Sequence, residues 1–218
     1  MTEIQFRISQ GRIAKGFTAL PGYEAWGTLQ GTDPGKPGSG AETPLARVHR
    51  HSGSDDRNPA FTLTTTAEPA HTLCTITPQA PQAGAADSQT AYAVHDGHGR
   101  FIGRIIHGRS PLGIRQAWHI EDAGKQCSAV AYKGTTLGWI AYWAFSPFWA
   151  IWALVFLLNG DLRPGGSLWN KPRRARWRLR SGGGARKVAL DFRPVWYRTD
   201  SELLDVHLSY AQAALYGA

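Results

Sequence analysis

At 218 residues and 42% hydrophobic content the chain is long enough for one sizeable core without staples, and its negative mean hydropathy excludes a protein of many membrane spans. The formal charge of +8 is uneven, with 13 Lys/Arg against 11 Asp/Glu in residues 1–136 and 11 against 5 in residues 137–218. A basic surface confined to the last third calls for an anionic partner: lipid headgroups, nucleic acid phosphates or an acidic protein. Cys74 and Cys127 make no metal-ligand spacing and read as reduced core thiols, with a disulfide between them as the rival. The opening MTEIQFRISQ has no apolar secretory segment, so a cytoplasmic setting is expected.

In chain order, Ile4, Phe6 and Ile8 alternate with polar residues, and Trp26-Gly27-Thr28-Leu29 follows after Pro21-Gly22; both read as short strands. Residues 31–58, rich in Gly, Pro, Ser and Asp, read as a mobile surface loop, with an interdomain linker as the rival. Phe61–Thr66 and His71–Thr77 flank Glu68-Pro69 as a hairpin, and Pro78–Ser88 reads as a connector. The segment around Asp96-Gly97-His98-Gly99 carries the turn chemistry of a tight hairpin, and Asp122-Ala123-Gly124-Lys125 repeats it. Residues 90–133 therefore predict a four-stranded antiparallel meander.

Residues 137–158 (LGWIAYWAFSPFWAIWALVFLL) contain no charged side chain. As one helix they would reach about 33 Å, enough for the roughly 30 Å hydrocarbon core of a bilayer. Trp139, Trp143, Trp149 and Trp152, with Phe148 and Phe156, are the candidate inserting residues, because an indole satisfies both its apolar body and its N–H at the headgroup boundary. Ser146-Pro147 breaks the run near its middle and predicts two shorter elements. Burial as a core helix or as two core strands is the competing reading. Lys171, Arg173, Arg174, Arg176, Arg178 and Arg180 follow at once and are the candidate lipid-binding residues.

ARWRLR (175–180) and KVALDF (187–192) predict a hairpin about Ser181–Gly184, with Arg176, Arg178 and Arg180 on one face and Trp177 and Leu179 on the other. Thr199-Asp200-Ser201-Glu202 has capping-box spacing, and the residues up to Gly217 are apolar around most of a helical circumference. The fold expected is mainly β: a single domain over residues 1–218, an antiparallel barrel of about 10–12 strands around a buried C-terminal helix. An apolar helical hairpin or interfacial insertion at 137–158 leaves it.

Tyr92-x-Val94-x-Asp96-Gly97-x-Gly99-x-Phe101-Ile102-Gly103, Trp118-x-Ile120-x-Asp122, Trp177-Arg178-Leu179, Val188-Ala189-Leu190-Asp191 and the terminal helix resemble the tubby-like, LURP-one and phospholipid scramblase superfamily. The resemblance is best over 90–133 and 175–218. It implies a twelve-stranded barrel threaded by the C-terminal helix and a tendency toward phospholipid surfaces.

Catalytic and cofactor chemistry finds no footing. His95-x-x-His98 sits on a turn from which side chains diverge, Gly182-Gly183-Gly184 lacks the spacing of a phosphate loop, and no nucleophile or carboxylate pair stands out. The expectation is a non-enzymatic protein without cofactor, on the inner face of the membrane. Its partner would be an anionic phospholipid surface, with a scramblase-like or scaffold role and a second protein as a further partner. The alternative is a nucleic-acid-binding module using residues 163–187, with Trp169 and Trp177 as stacking platforms; a third reading, a barrel that carries a small molecule or lipid, is disfavoured because the terminal helix would fill the lumen.

Overall fold

The computed structural model describes residues 3–10, 19–32, 43–55, 58–67, 71–80, 89–110, 115–158, 174–180, 187–193 and 196–217, apart from a few side chains within these spans. These residues form twelve strands and two helices. The strands are β1 (Glu3–Gln10), β2 (Tyr23–Thr32), β3 (Thr43–His51), β4 (Phe61–Thr64), β5 (Thr72–Gln79), β6 (Thr90–Asp96), β7 (Phe101–Arg109), β8 (Gln116–Asp122), β9 (Cys127–Tyr132), β10 (Ala175–Leu179), β11 (Val188–Phe192) and β12 (Tyr197–Asp200). Helix α1 (Thr136–Leu158) lies between β9 and β10, and α2 (Val206–Gly217) ends the described chain.

Each strand pairs antiparallel with its sequence neighbour, and β1 pairs with β12 through Glu3↔Asp200 and Phe6↔Tyr197, so the sheet closes on itself and keeps no edge. A barrel of twelve strands is wider than one whose own side chains can fill it. Helix α2 occupies that space: Leu208 through Leu215 are all buried, and the small Ser209, Ala211, Ala213 and Ala214 let its backbone approach the wall. Phe6 stacks on Tyr197 at 5.3 Å and meets Tyr210 of α2 edge-on at 4.9 Å. The one polar contact across this core is between Thr199 and Ser209 hydroxyls, 2.8 Å apart, among those the described residues show between β12 and α2.

Three expectations need correction. Residues 43–51, inside the stretch read as a loop, form β3: only Ala46 and Val48 need to point inward, because β2 and β4 satisfy its backbone on both sides. Residues 33–42, 56 and 57 lie outside the described residues. Pro78 and Gln79, read as the start of a connector, end β5. The terminal helix does not open at Thr199. Thr199 faces the core, Asp200 closes a turn through its carboxylate on Glu202 N–H (3.0 Å), and Asp205 caps α2 by accepting from His207 N–H at 2.8 Å.

The entry of α2 is tied down by Asp122, which is 3% exposed: its carboxylate accepts from Lys125 N–H at 2.9 Å and from Asp205 N–H at 2.8 Å. Asp122→Ala orphans both donors, and a loss of about 3 kcal/mol is expected in urea unfolding.

Burial holds the His49, His107 and His119 pKa values below their ordinary 6.5, helped by the positive charges of Arg47, Lys133 and Arg180 respectively. The unfolded chain binds protons at these sites more readily than the fold does, so stability is full above pH 6.5 and falls as the pH drops below it. Urea midpoints between pH 7.5 and about 5.5 should decline, and less steeply in His107→Phe, which keeps the ring stacked on Trp118.

Candidate membrane-facing end of the barrel

Helix α1 is rooted in the rim. Lys133 N–H donates to Gln116 O (3.0 Å), Gly134 takes φ +81° and donates to Arg174 O (2.9 Å), and so β9 and β10 are stitched together where the excursion begins. Thr135 caps the helix, its hydroxyl oxygen accepting from Gly138 N–H at 3.1 Å. The Trp139 indole N–H donates to Lys133 O at 3.0 Å, which fixes the first turn to the barrel.

Beyond that turn α1 stands away from the barrel. Ile140, Trp143, Ile151 and Leu158 are 61%, 63%, 63% and 78% exposed, and Phe145, Phe148, Trp152, Leu154 and Val155 are exposed as well. The described side chains are therefore not a core element enclosed by strands. The side chains of Trp149 and Phe156 lie outside the described residues. Nor does the chain reverse at Ser146-Pro147: α1 is one helix of 23 residues with Pro147 inside it. Proline forfeits a single backbone bond, whereas a break would strip several backbone groups of partners among side chains that offer none. Among the described residues no helix is long and apolar enough to cross a membrane.

The helix is apolar on every side but not uniform. Trp139, Tyr142, Trp143 and Ser146 recur at three- and four-residue spacing and share one side, each carrying a polar atom. The rings of Trp139 and Tyr142, and of Tyr142 and Trp143, meet edge-on at 5.7 Å. Ile140, Ala144, Ile151, Val155 and Leu158, all hydrocarbon, share the opposite side.

The same barrel end collects positive charge. Arg174, Arg176 and Arg193 converge on the single carboxylate of Asp191 at 3.2, 3.4 and 3.5 Å. Asp191 stands on the outer face of β11 directly opposite Arg176, so the group carries an excess of two positive charges. Lys133 lies 5.5 Å over the Tyr216 ring and Arg115 5.5 Å over Tyr132, extending the basic rim to the β8–β9 side. The opposite end holds most of the described carboxylates: Asp96, Glu121, Asp122, Asp200, Glu202 and Asp205. There Asp96 is spent on its turn; bonds from Arg100 N–H (2.8 Å) and His98 N–H (3.0 Å) hold its carboxyl below the usual range.

Of the basic residues singled out in the sequence, the structure brings Arg174 and Arg176 together. Arg178 and Arg180 share the outward face of Arg176 but sit further along β10, with Arg178 opposite Val130 and Arg180 N–H donating to Ser128 O, away from α1. Lys171 and Arg173 lie outside the described residues. Arg193 and Lys133 were not singled out, although the expected hairpin about Ser181–Gly184 already sets Arg176 across from Asp191. Trp177 is 0% exposed, packed on Tyr216, and offers no stacking platform; Trp169 lies outside the described residues. No protein-family model, curated protein or solved structure matches this chain.

Proposed function

We propose that this chain is a non-enzymatic, membrane-peripheral protein that binds the anionic phospholipid surface of the cytoplasmic leaflet, as a scaffold or in a scramblase-like role. The observation that carries the reading is an exposed, uncharged, Trp-rich helix leaving the basic end of a charge-polarised barrel. Apolar surface of this extent is stable only when something covers it, and the arginines beside it specify an anionic cover.

The barrel also limits how α1 meets the lipid. β9 and β10 are neighbours, so the excursion that leaves at Tyr132 returns at Ala175 to the same end. Were α1 to cross, Asp161, Arg163, Lys171 and Arg173 would have to recross hydrocarbon in the following stretch, at prohibitive cost. The helix instead lies along the leaflet, with Trp139, Tyr142, Trp143 and Ser146 toward the headgroups and Ile151, Val155 and Leu158 toward the acyl chains. The closed twelve-stranded barrel around its last helix supports placing the chain with the tubby-like, LURP-one and scramblase superfamily.

Flotation with vesicles of neutral lipid, with and without phosphatidylserine, tests the reading. Binding should require the anionic lipid and weaken with salt, and Arg174→Glu with Arg193→Glu should lower affinity at least tenfold, from about 1 kcal/mol per basic group near the surface. Equal binding to neutral vesicles, insensitive to salt and to both substitutions, would sink it. Transfer of labelled lipid between leaflets of reconstituted vesicles separates the scramblase-like role from the scaffold.

A further inference from the structure

We propose that the α1 end of the barrel holds a site for a phosphate-type oxyanion, built from the indole N–H groups of Trp118 and Trp177 with Lys133 and Arg174. The proposal rests on the reading that this end meets lipid, and deepens it. Trp118 Nε1, Trp177 Nε1, Arg174 Nε and His107 Nε2 are all buried without a hydrogen-bond partner. A buried N–H left unmade is unfavourable, and most native donors avoid it.

Three of these atoms belong to side chains gathered around Tyr216, and Arg174 stands at the rim beside them. Trp118 and Trp177 each pack on the Tyr216 ring at 5.8 Å, and His107 stacks on Trp118 at 4.1 Å. The Lys133 ammonium stands 5.5 Å over Tyr216, and its charge reaches His107, which burial and Lys133 together keep neutral. Arg174 is the neighbouring rim cation: its carbonyl oxygen accepts from Gly134 N–H, next to Lys133, its Nη2 holds Asp191 on the outer face, and its Nε has no acceptor. Both indoles and the guanidinium are donors whatever the pH, so the group they lack is an acceptor.

Charge decides which acceptor. The C-terminal end of α2 presents partial negative charge here and disfavours an anion, whereas Lys133 and Arg174 supply full positive charges that outweigh it. An oxyanion with several lone pairs can meet two indoles and a cation together, as a single carbonyl cannot. A lipid headgroup phosphate at the root of α1 and a free phosphate share this chemistry.

The test uses the full chain, labelled with 15N, in a phosphate-free maltoside detergent. Inorganic phosphate is titrated in one arm and a water-soluble short-chain phosphatidic acid in the other. The Trp118 and Trp177 indole resonances, assigned by their absence from Trp118→Phe and Trp177→Phe, should move downfield and saturate. Each Phe variant, and Lys133→Met, should weaken binding roughly tenfold. Saturation by the lipid alone identifies the headgroup as the source, and equal response to both identifies free phosphate. Resonances that stay fixed in both arms, or variants that bind like the parent chain, would overturn the site. Loss of vesicle flotation with the titration intact would remove the membrane reading and leave the site standing.

Discussion

Ile151→Asp combined with Val155→Asp is expected to reduce vesicle partitioning at least a hundredfold while leaving the unfolding temperature of the barrel unchanged. Both side chains lie on the hydrocarbon side of α1 and are exposed, 63% and 45%, so they hold no part of the core. On the proposed placement of α1, two carboxylates in the acyl region would replace a gain of about 2 kcal/mol per buried aliphatic side chain with a cost of similar size, and even a shallow location leaves about 3 kcal/mol in total. Ser146→Asp, among the indoles, should cost far less. If the two faces respond alike, α1 does not lie along the interface, and if both are silent it is not the anchor.

Gly103→Val should be the most damaging single change in the barrel wall. A Cβ at this position would lie 2.3 Å from the backbone carbonyl oxygen of Glu121 and 2.9 and 3.0 Å from the two methyl groups of Leu208. The leucine can shift, but the carbonyl belongs to the β7–β8 ladder and cannot. The substitution is expected to cost about 3 kcal/mol or more in urea unfolding. Adding Leu208→Ala relieves only the yielding half of the clash and opens a cavity worth about another 3 kcal/mol, so the double variant should be worse than either alone. A rescue by Leu208→Ala would show that the helix, not the neighbouring strand, sets the limit.

Much of this architecture was legible because its local signals agree with its long-range needs. The Asp96-Gly97 turn, with Gly99 at φ +79°, sits where the sequence places a hairpin, and the alternation of Arg176, Trp177, Arg178 and Leu179 divides β10 into an outer and an inner face. The all-round apolarity of α2 foretells a helix with walls on every side. Strand β3 was hidden because neighbours rather than composition stabilise it: two small inward residues suffice when the backbone is paired on both flanks. Pro147 misled in the opposite direction, since its penalty is local while the need of an apolar segment to satisfy its own backbone is shared over the whole helix. The arginine cluster was half visible. Arg174 and Arg176 follow from charge density, but Arg193 joins them only through Asp191, whose role depends on strand register across a turn.

The seam of the barrel lies between residues almost two hundred positions apart, Glu3 with Asp200 and Phe6 with Tyr197. During synthesis the first strand must therefore wait, one flank unsatisfied, until nearly all the chain has been made. Helix α1 leaves the ribosome before either the last strands or the internal plug, so the greasy segment is available to lipid while the cylinder is still open. On the proposed membrane-peripheral reading, a leaflet that captures it at that stage would hold the nascent chain in place and shield its stickiest surface from other copies, so lipid would take part in folding as well as in binding.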